Sequence, residues 1–585
     1  MLVYGDATRR ESVARKLLRL RAALSAARAS PPGIGRHGLL VDALIEAGEL
    51  AQGMADARFE AAGRRDAPSP EADTAMALAM AMARLCARSW NTAFGCTPEP
   101  HEALLAASEQ LLPAIDIDVK QPEGYAFYAL YPESYLVAAQ RLQCRPWRVI
   151  GLRSIGTSLA AIAAVALGDA DPLTLRPVGH PFDRRVAWAG PSLARPGAHH
   201  AIVDEGPGLS GSSMAGVVRQ LMSEGVAPDR IHLFPGHGNG PGPQASAETR
   251  ELWTQAASHV AGFDELLLRA ADPAHRLQSW VEAIVGPLYE PLEEITGGGW
   301  RNVHGGAPGE LPPAHPWQER RKFLARSGSG TWLVKFIGLG HEARLRFGCA
   351  QALAEAGFCA GVAGLCHGFM VERWHAGMAP LSAARLGDGA LRMRLVAHLA
   401  DYIAFRARTF PAADGTGASL QALCDMGRHN SIEAFGSDGA HAWNRHRSRA
   451  DALQQRVRRI RTDNRMHAWE WLASDERILK TDAVDHHAGH DLVGCQDAAW
   501  DVAGAAAELG LSAGELGLLL EGLSRQGCRI DAELLGFYTP AYLAFQLGHF
   551  RMAAADAPSP AEKMRLQAHA ERYAQALRRH LAEQG

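Results

Sequence analysis

The chain has 585 residues, with 60 Lys plus Arg against 63 Asp plus Glu and a formal net charge of -3. That length exceeds what one hydrophobic core supports, so about three or four domains are expected. The near balance of charge supplies no global field for nucleic acid or an anionic membrane. Nine cysteines occur with no Cys-x-x-Cys pair, against a zinc ribbon or a secreted disulfide scaffold. The charged start MLVYGDATRR lacks the apolar core of a secretory signal, and no apolar run reaches membrane-spanning length. A cytoplasmic protein acting on small-molecule substrates is the expectation.

Residues 1–110 are rich in Ala, Leu and Arg at helical spacing, broken by ASPPGIGRHG and RRDAPSPEAD. They read as a helical cap or an oligomerisation element, compatible with a homo-oligomer. Gly33, Gly35 and Gly38 spell G-x-G-x-x-G. Two prolines rather than a strand precede them, so the dinucleotide reading fails its context.

From 111 to 262 strands and helices alternate. IDIDV and YAFYALY come first, then WRVIGL before Arg153, Ser154, Gly156, Thr157 and a small-residue helix, then AIVDEGPGLSGSSM and RIHLF. Such alternation predicts a Rossmann-like parallel sheet with ligands at the strands' carboxyl ends. In AIVDEGPGLSGSSM an apolar run ends at Asp204 and Glu205 and feeds Ser210, Gly211, Ser212 and Ser213 at the start of a helix. Backbone N–H groups, hydroxyls and the helix dipole together suit a phosphate monoester, and the acid pair suits ribose hydroxyls.

These two motifs resemble those of the type I phosphoribosyltransferases. The resemblance implies phosphoribosyl pyrophosphate as substrate with Mg²⁺, and a turn at Arg153, Ser154, Gly156 and Thr157 that holds pyrophosphate. It also implies a phosphate loop at Ser210–Ser213 and a catalytic role for Asp204 and Glu205 in steadying the ribose. The stretch containing His180, Arg184 and Arg185 takes the place of the family's mobile hood. Two departures stand out: Ser-Gly-Ser-Ser replaces Thr-Gly-Gly-Thr, and the spacer after the acids is one residue longer. His237, in FPGHGNGPGP, reads as a solvated loop histidine or a nucleobase contact.

Residues 263–316 read as a helical connector ending in a Gly/Pro-rich linker. From 317 the run QERRKFLARSGSGTWLVKFIGLG predicts a hairpin turning at Gly328, Ser329 and Gly330, with Lys335 between apolar neighbours on its second strand. A helix follows, then HGFMVERW in the position of a hinge, a long helical region, and TDNRMHAWEWLASDERILKTDAVDHHAGHD.

This order resembles the aminoglycoside phosphotransferase and choline kinase group, the small-molecule branch of the two-lobed α+β protein-kinase-like fold. The resemblance implies ATP and Mg²⁺. Lys335 would neutralise nucleotide phosphates, with Glu342 as its helix partner. Asp463 would act as the catalytic aspartate on the acceptor hydroxyl and Asp482 as the metal ligand, while Asp501 would brace the catalytic loop. Phosphoryl transfer asks for these types because it is mostly positioning and charge neutralisation. Where the family has His-Gly-Asp with Asn five residues on, this chain has Arg461, Thr462, Asp463 and then Ala468, and Glu470 takes the metal role. His486 and His490 in DHHAGHD have one-turn spacing, which raises a zinc reading, but they lie where the fold has a loop and no H-E-x-x-H is present. The tail from about 511 is helical, and its arginines read as a solvated face.

The expected protein is therefore a helical cap, a phosphoribosyltransferase-like α/β domain at 111–262 and a small-molecule-kinase-like domain at 317–585. The two sites would form a bifunctional transferase. The alternative is a regulatory nucleotide-binding protein in which one or both halves bind without turnover.

Overall fold

The computed structural model describes residues 1–5, 8–96, 102–143, 145–304, 311–315, 318–413 and 415–584. The N-terminal region is built on three long helices, Val13–Ala29, Ile34–Ala61 and Pro70–Asn91. The first and third are capped by the Ser12 and Ser69 hydroxyls. The middle helix is buried without a break from Leu40 to Ala55, because it packs on its two neighbours and on the helix Gly156–Ala166 of the next region. Gly48 makes that approach feasible: a Cβ there would lie 2.6 Å from Ser158 Cβ.

The parallel sheet has the order Pro172–Leu175, Trp147–Leu152, His199–Val203, Ile231–Phe234, Ala257–Ser258. Successive residues serve opposite faces, as a strand period of two requires. Ile150, Ile202 and Leu233 pack against Val217 and Leu221 on one side, while Val149, Ala201 and Val203 join the larger core on the other. IDIDV does not enter this sheet. Asp116–Lys120 pairs antiparallel with Thr8–Ser12, which binds the chain's start to the α/β region. YAFYALY is not a strand either, since Glu123–Phe127 is a short helix; Pro122 and Pro132 bracket the run and break extended pairing.

A second, antiparallel sheet has the order Glu293–Glu294, Lys322–Ser327, Gly330–Phe336, Phe369–Arg373, Val362–Cys366. The hairpin at Ser327 and Gly330 forms. Glu293–Glu294, assigned from sequence to the connector, supplies the edge strand. Positions 305–310 and 316 of the Gly/Pro-rich linker lie outside the described residues. The helical lobe below contains Gly389–Thr409, Leu420–Phe435, Ala498–Leu509 and Ala532–Ala555. The tail helix Pro560–Gln584 buries Leu566, Tyr573 and Leu577. A ribbon of Ala379–Pro380, Trp471–Ala473 and Ile478–Lys480 crosses this lobe's upper face. No helix among the described residues is long and apolar enough to cross a membrane.

The boundaries read from sequence do not separate cores. One continuous core runs from the N-terminal helices through the parallel sheet to Phe323, Val334, Phe336 and Phe369 of the antiparallel sheet. Polar ties cross the same junction. Tyr131 donates its hydroxyl to the His367 carbonyl at 2.8 Å, and the Gly340 N–H donates to Asp42 at 3.0 Å. Glu133 Oε1 lies 2.6 Å from His37 Nε2 and 3.2 Å from His367 Nε2.

Candidate functional site

At the carboxyl end of His199–Val203 stand the half-buried Asp204 and Glu205. The Gly124 N–H donates to Glu205 Oε2 at 2.7 Å, and the Tyr135 hydroxyl donates to the Asp204 carbonyl at 2.7 Å. Burial pushes the Asp204 carboxyl up to about 7. Burial together with the Asp204 charge pushes Glu205 up to about 8. Beyond them Gly211, at φ 66°, starts the helix Ser212–Ser223. Ser213 is half-buried at its first turn. Ser210 and Ser212 donate their hydroxyls to the Pro181 carbonyl at 3.1 and 2.7 Å, in the turn of the hairpin Val178–His180 and Asp183–Arg185.

The Arg153 turn departs from its expected role. The Arg153 side chain is 1 % exposed, with Nε 2.9 Å from Asp56 Oδ1, and it pairs with Asp66 as well. Thr157 is fully buried, and Gly156 sits so close to Val203 that an added Cβ would be 2.8 Å from its carbonyl oxygen. Only Ser154 keeps partial exposure. The helix Ile34–Ala61 carries Asp56 against this turn, so Arg153 is engaged in ion pairs.

A cleft of about 250 Å³ opens between the antiparallel sheet and the helical lobe. Lys335, 3 % exposed on Gly330–Phe336, reaches it and pairs with Asp482, with Asp485 3.5 Å away. Burial opposes the ammonium charge, and the two carboxylates more than restore it, so Lys335 stays protonated. Asp482 follows the strand Ile478–Lys480 and holds φ 54°. Arg320 Nε meets Asp485 at 3.0 Å. Glu342 lies on the helix Gly340–Glu355, where its charge acts on Arg9 and Arg346. It is not the partner of Lys335.

The loop at 461–470 differs from its sequence reading. Asp501 accepts the backbone N–H of Asp463 at 2.8 Å and of Asn464 at 3.0 Å, so it braces the loop. Asn464 takes the left-handed conformation, φ 66°, which short polar side chains tolerate. The side chains before and after it then diverge. Asp463 turns inward and is 1 % exposed. It accepts the Tyr402 hydroxyl and lies 3.4 Å from Lys480 and 3.8 Å from Arg406. These cations hold its carboxyl well below the usual range against the cost of burial. Asp463 does not itself line the cleft, whereas Arg465 does; the Asp463 carboxylate lies directly behind the cleft residues Glu470 and His486. One signal for this was in the sequence: Glu470 falls five residues after Arg465, the spacing the resemblance attaches to the catalytic residue and its metal-binding partner.

Glu470 lines the cleft and lies 2.7 Å from Lys480. His486 lies 3.6 Å from Asp482 and 3.7 Å from Asp463. Burial opposes its charge, but these carboxylates raise it to about 9. His490 contacts Glu123 instead, at 3.0 Å, so the one-turn His486 and His490 pair does not form a common site. Asp482 and Asp485 offer carboxylate oxygens within 4.8 Å of one another and of His486, the donor type Mg²⁺ prefers, whereas Glu470 groups with Asp463 and His486 instead; the Asp482 side chain remains 33 % exposed. The residues therefore fit the ion.

Apolar surface completes the cleft. Leu333 of the antiparallel sheet and Leu472 and Leu479 of the ribbon line it, with Glu372, Trp374 and His375 at and just beyond the end of the strand Phe369–Arg373. Burial raises Glu372 to about 7 despite nearby Lys335. Ile295 and Trp300, from the segment taken as a connector, also line the cleft. Sequence reasoning missed these two residues, Asp485 and Arg465.

No family model matches the chain, and no curated protein matches it. Among solved structures, LicA in complex with AMP is 14% identical and matches over 51% of this chain and 92% of its own, with a TM-score of 0.35. The choline kinase LicA from Streptococcus pneumoniae is 13% identical over 43% of this chain and 89% of its own, with a TM-score of 0.32. A choline/ethanolamine kinase family protein from Mesorhizobium loti is 15% identical over 54% of this chain and 96% of its own, with a TM-score of 0.33. At TM-scores this low the chemistry must rest on the cleft's own residues.

Proposed function

We propose that the chain is an ATP-dependent phosphotransferase acting on a small molecule in the cleft between the antiparallel sheet and the helical lobe. The observation that carries this reading is the buried Lys335 bracketed by Asp482 and Asp485 beside apolar surface. Such a lysine neutralises phosphate oxygens while that surface receives the base. Asp482 and Asp485 would hold Mg²⁺, which when bound offsets charge on the transferred phosphoryl group. Lys480 keeps Glu470 in place, and Asp501 fixes the backbone from which Arg465 projects.

Phosphoribosyl pyrophosphate has no part in this proposal, because Thr157 is fully buried, Gly156 packs against Val203, and Ser154 alone of that turn keeps partial exposure. The test is calorimetry with Mg·ATP on the full chain, followed by ADP release in the presence of a metabolite extract. Lys335→Ala and Asp482→Asn are each expected to weaken ATP binding about tenfold or more. Absence of ATP binding by the unaltered chain would overturn the proposal, and binding without ADP release would favour a regulatory role.

A further inference from the structure

The cations around the cleft are almost all engaged. Lys335 is held by Asp482, Arg320 by Asp485, Lys322 by Glu319 and Lys480 by Glu470. Arg373 donates to the Ser329 carbonyl and stacks on Trp332. Arg465 is different. It lines the cleft and is half-buried, and its guanidinium has no hydrogen bond, ion pair or ring contact among the described residues. Its backbone is fixed by Asp501 through the two preceding amides and by its own N–H donating to Asp463 Oδ1 at 3.2 Å. The charge is felt nearby: it disfavours protonation of His315 and His549 and favours the ionised form of Asp491 on the same wall. A guanidinium on a fixed backbone, without a hydrogen-bonded partner among the described residues, is a two-pronged donor for an oxyanion in a partly dehydrated cleft.

The position also bears on the reaction. Transfer to a hydroxyl requires a group that accepts its proton, and a guanidinium cannot do so. Asp463 has turned away and Asp482, Asp485 and Glu470 are paired with cations; Asp491, whose charge Arg465 favours, is the acid left to a hydroxyl acceptor, and its variant below separates the two cases. A carboxylate or phosphate oxygen carries no proton to remove.

We propose that the acceptor is an oxyanion, a carboxylate or a phosphate monoester, held by Arg465; this rests on the phosphotransferase reading above. An acceptor oxygen lone pair forms a bond to the γ-phosphorus of ATP. The bond from that phosphorus to the β,γ-bridging oxygen breaks, and its electron pair leaves on ADP. No proton is transferred, and the product is an acyl phosphate or a phosphoanhydride. A cationic alcohol such as choline is disfavoured beside Arg465.

The test uses the full chain saturated with Mg·ADP and titrated by calorimetry with inorganic phosphate, succinate and choline chloride. Phosphate or succinate should bind and choline should not. Arg465→Ala should weaken anion binding about tenfold with Mg·ADP affinity unchanged, and Arg465→Lys should restore part of it. Thermal melts of both variants check folding, and Arg465→Gln serves if Arg465→Ala is unstable.

With Mg·ATP, hydroxylamine trapping reports an acyl phosphate from a carboxylate acceptor, and pyrophosphatase-sensitive release reports a phosphoanhydride from a phosphate monoester. Equal anion affinity in wild type and Arg465→Ala would overturn the inference. So would choline-dependent ADP release that is lost in Asp491→Asn, since Asp491 is another acid on this wall. Failure of Mg·ADP and Mg·ATP to bind would remove the phosphotransferase reading, whereas the oxyanion site is still judged by phosphate titration of Arg465→Ala.

Discussion

Two acids at the end of one strand determine a pH response. Asp204 and Glu205 have folded pKa values raised to about 7 and about 8, above the ordinary carboxyl range of an unfolded chain. Below that ordinary range both states are protonated and the pair costs nothing. As pH rises toward 8 the unfolded chain ionises first, so stability falls. Melting temperature is therefore expected to drop by a few degrees between pH 5 and pH 9. Asp204→Asn with Glu205→Gln should flatten that profile, and an unchanged slope in thermal melts would count against the raised values. Asp501 acts differently. It satisfies two buried backbone donors, so Asp501→Ala should cost on the order of 2 kcal/mol or more. Chemical denaturation would measure that loss, and ADP release should fall with it because Arg465 loses its fixed backbone.

The helix Ile34–Ala61 shows how one element changes another's role. Alone, the Arg153 turn looks like an open phosphate loop; beneath this helix it becomes an ion-paired joint. Gly48 permits the contact, so Gly48→Val should force the helix away from Ser158 and destabilise the protein by about 1–3 kcal/mol. Denaturant melts test this, and a neutral result would mean the two helices separate without cost. The edge strand Glu293–Glu294 makes the complementary point. Its two residues are too few to announce a strand by periodicity, yet their pairing with Phe323 and Leu324 places Ile295 and Trp300 against the cleft.

At the scale of the molecule, the α/β region and the antiparallel sheet share one core. Phe336 and Phe369 lie against Tyr131 and Phe263, and His37, Glu133 and His367 meet in a buried knot. Residues 317–585 expressed alone would expose this apolar surface. They are expected to be insoluble or to lack a cooperative melt, and a stable fragment that binds Mg·ATP would refute the shared core. Glu133→Leu removes the carboxylate between two buried imidazoles and should lower the melting temperature of the whole chain in a single transition, which calorimetry would resolve.

Local pattern sufficed for the strand–loop–helix runs around Arg153 and Asp204, the Lys335 hairpin, the hinge strand and the acid at Asp482, because periodicity and turn residues act over a few positions. Partnership over long separations was decided by the tertiary fold. Arg153 meets Asp56 across 97 residues, Lys335 meets Asp482 across 147, and the left-handed turn at Asn464 sends Asp463 inward and Arg465 outward. Sequence spacing names the charged groups near a site, but only packing decides which charges neutralise each other and which one is left for a ligand.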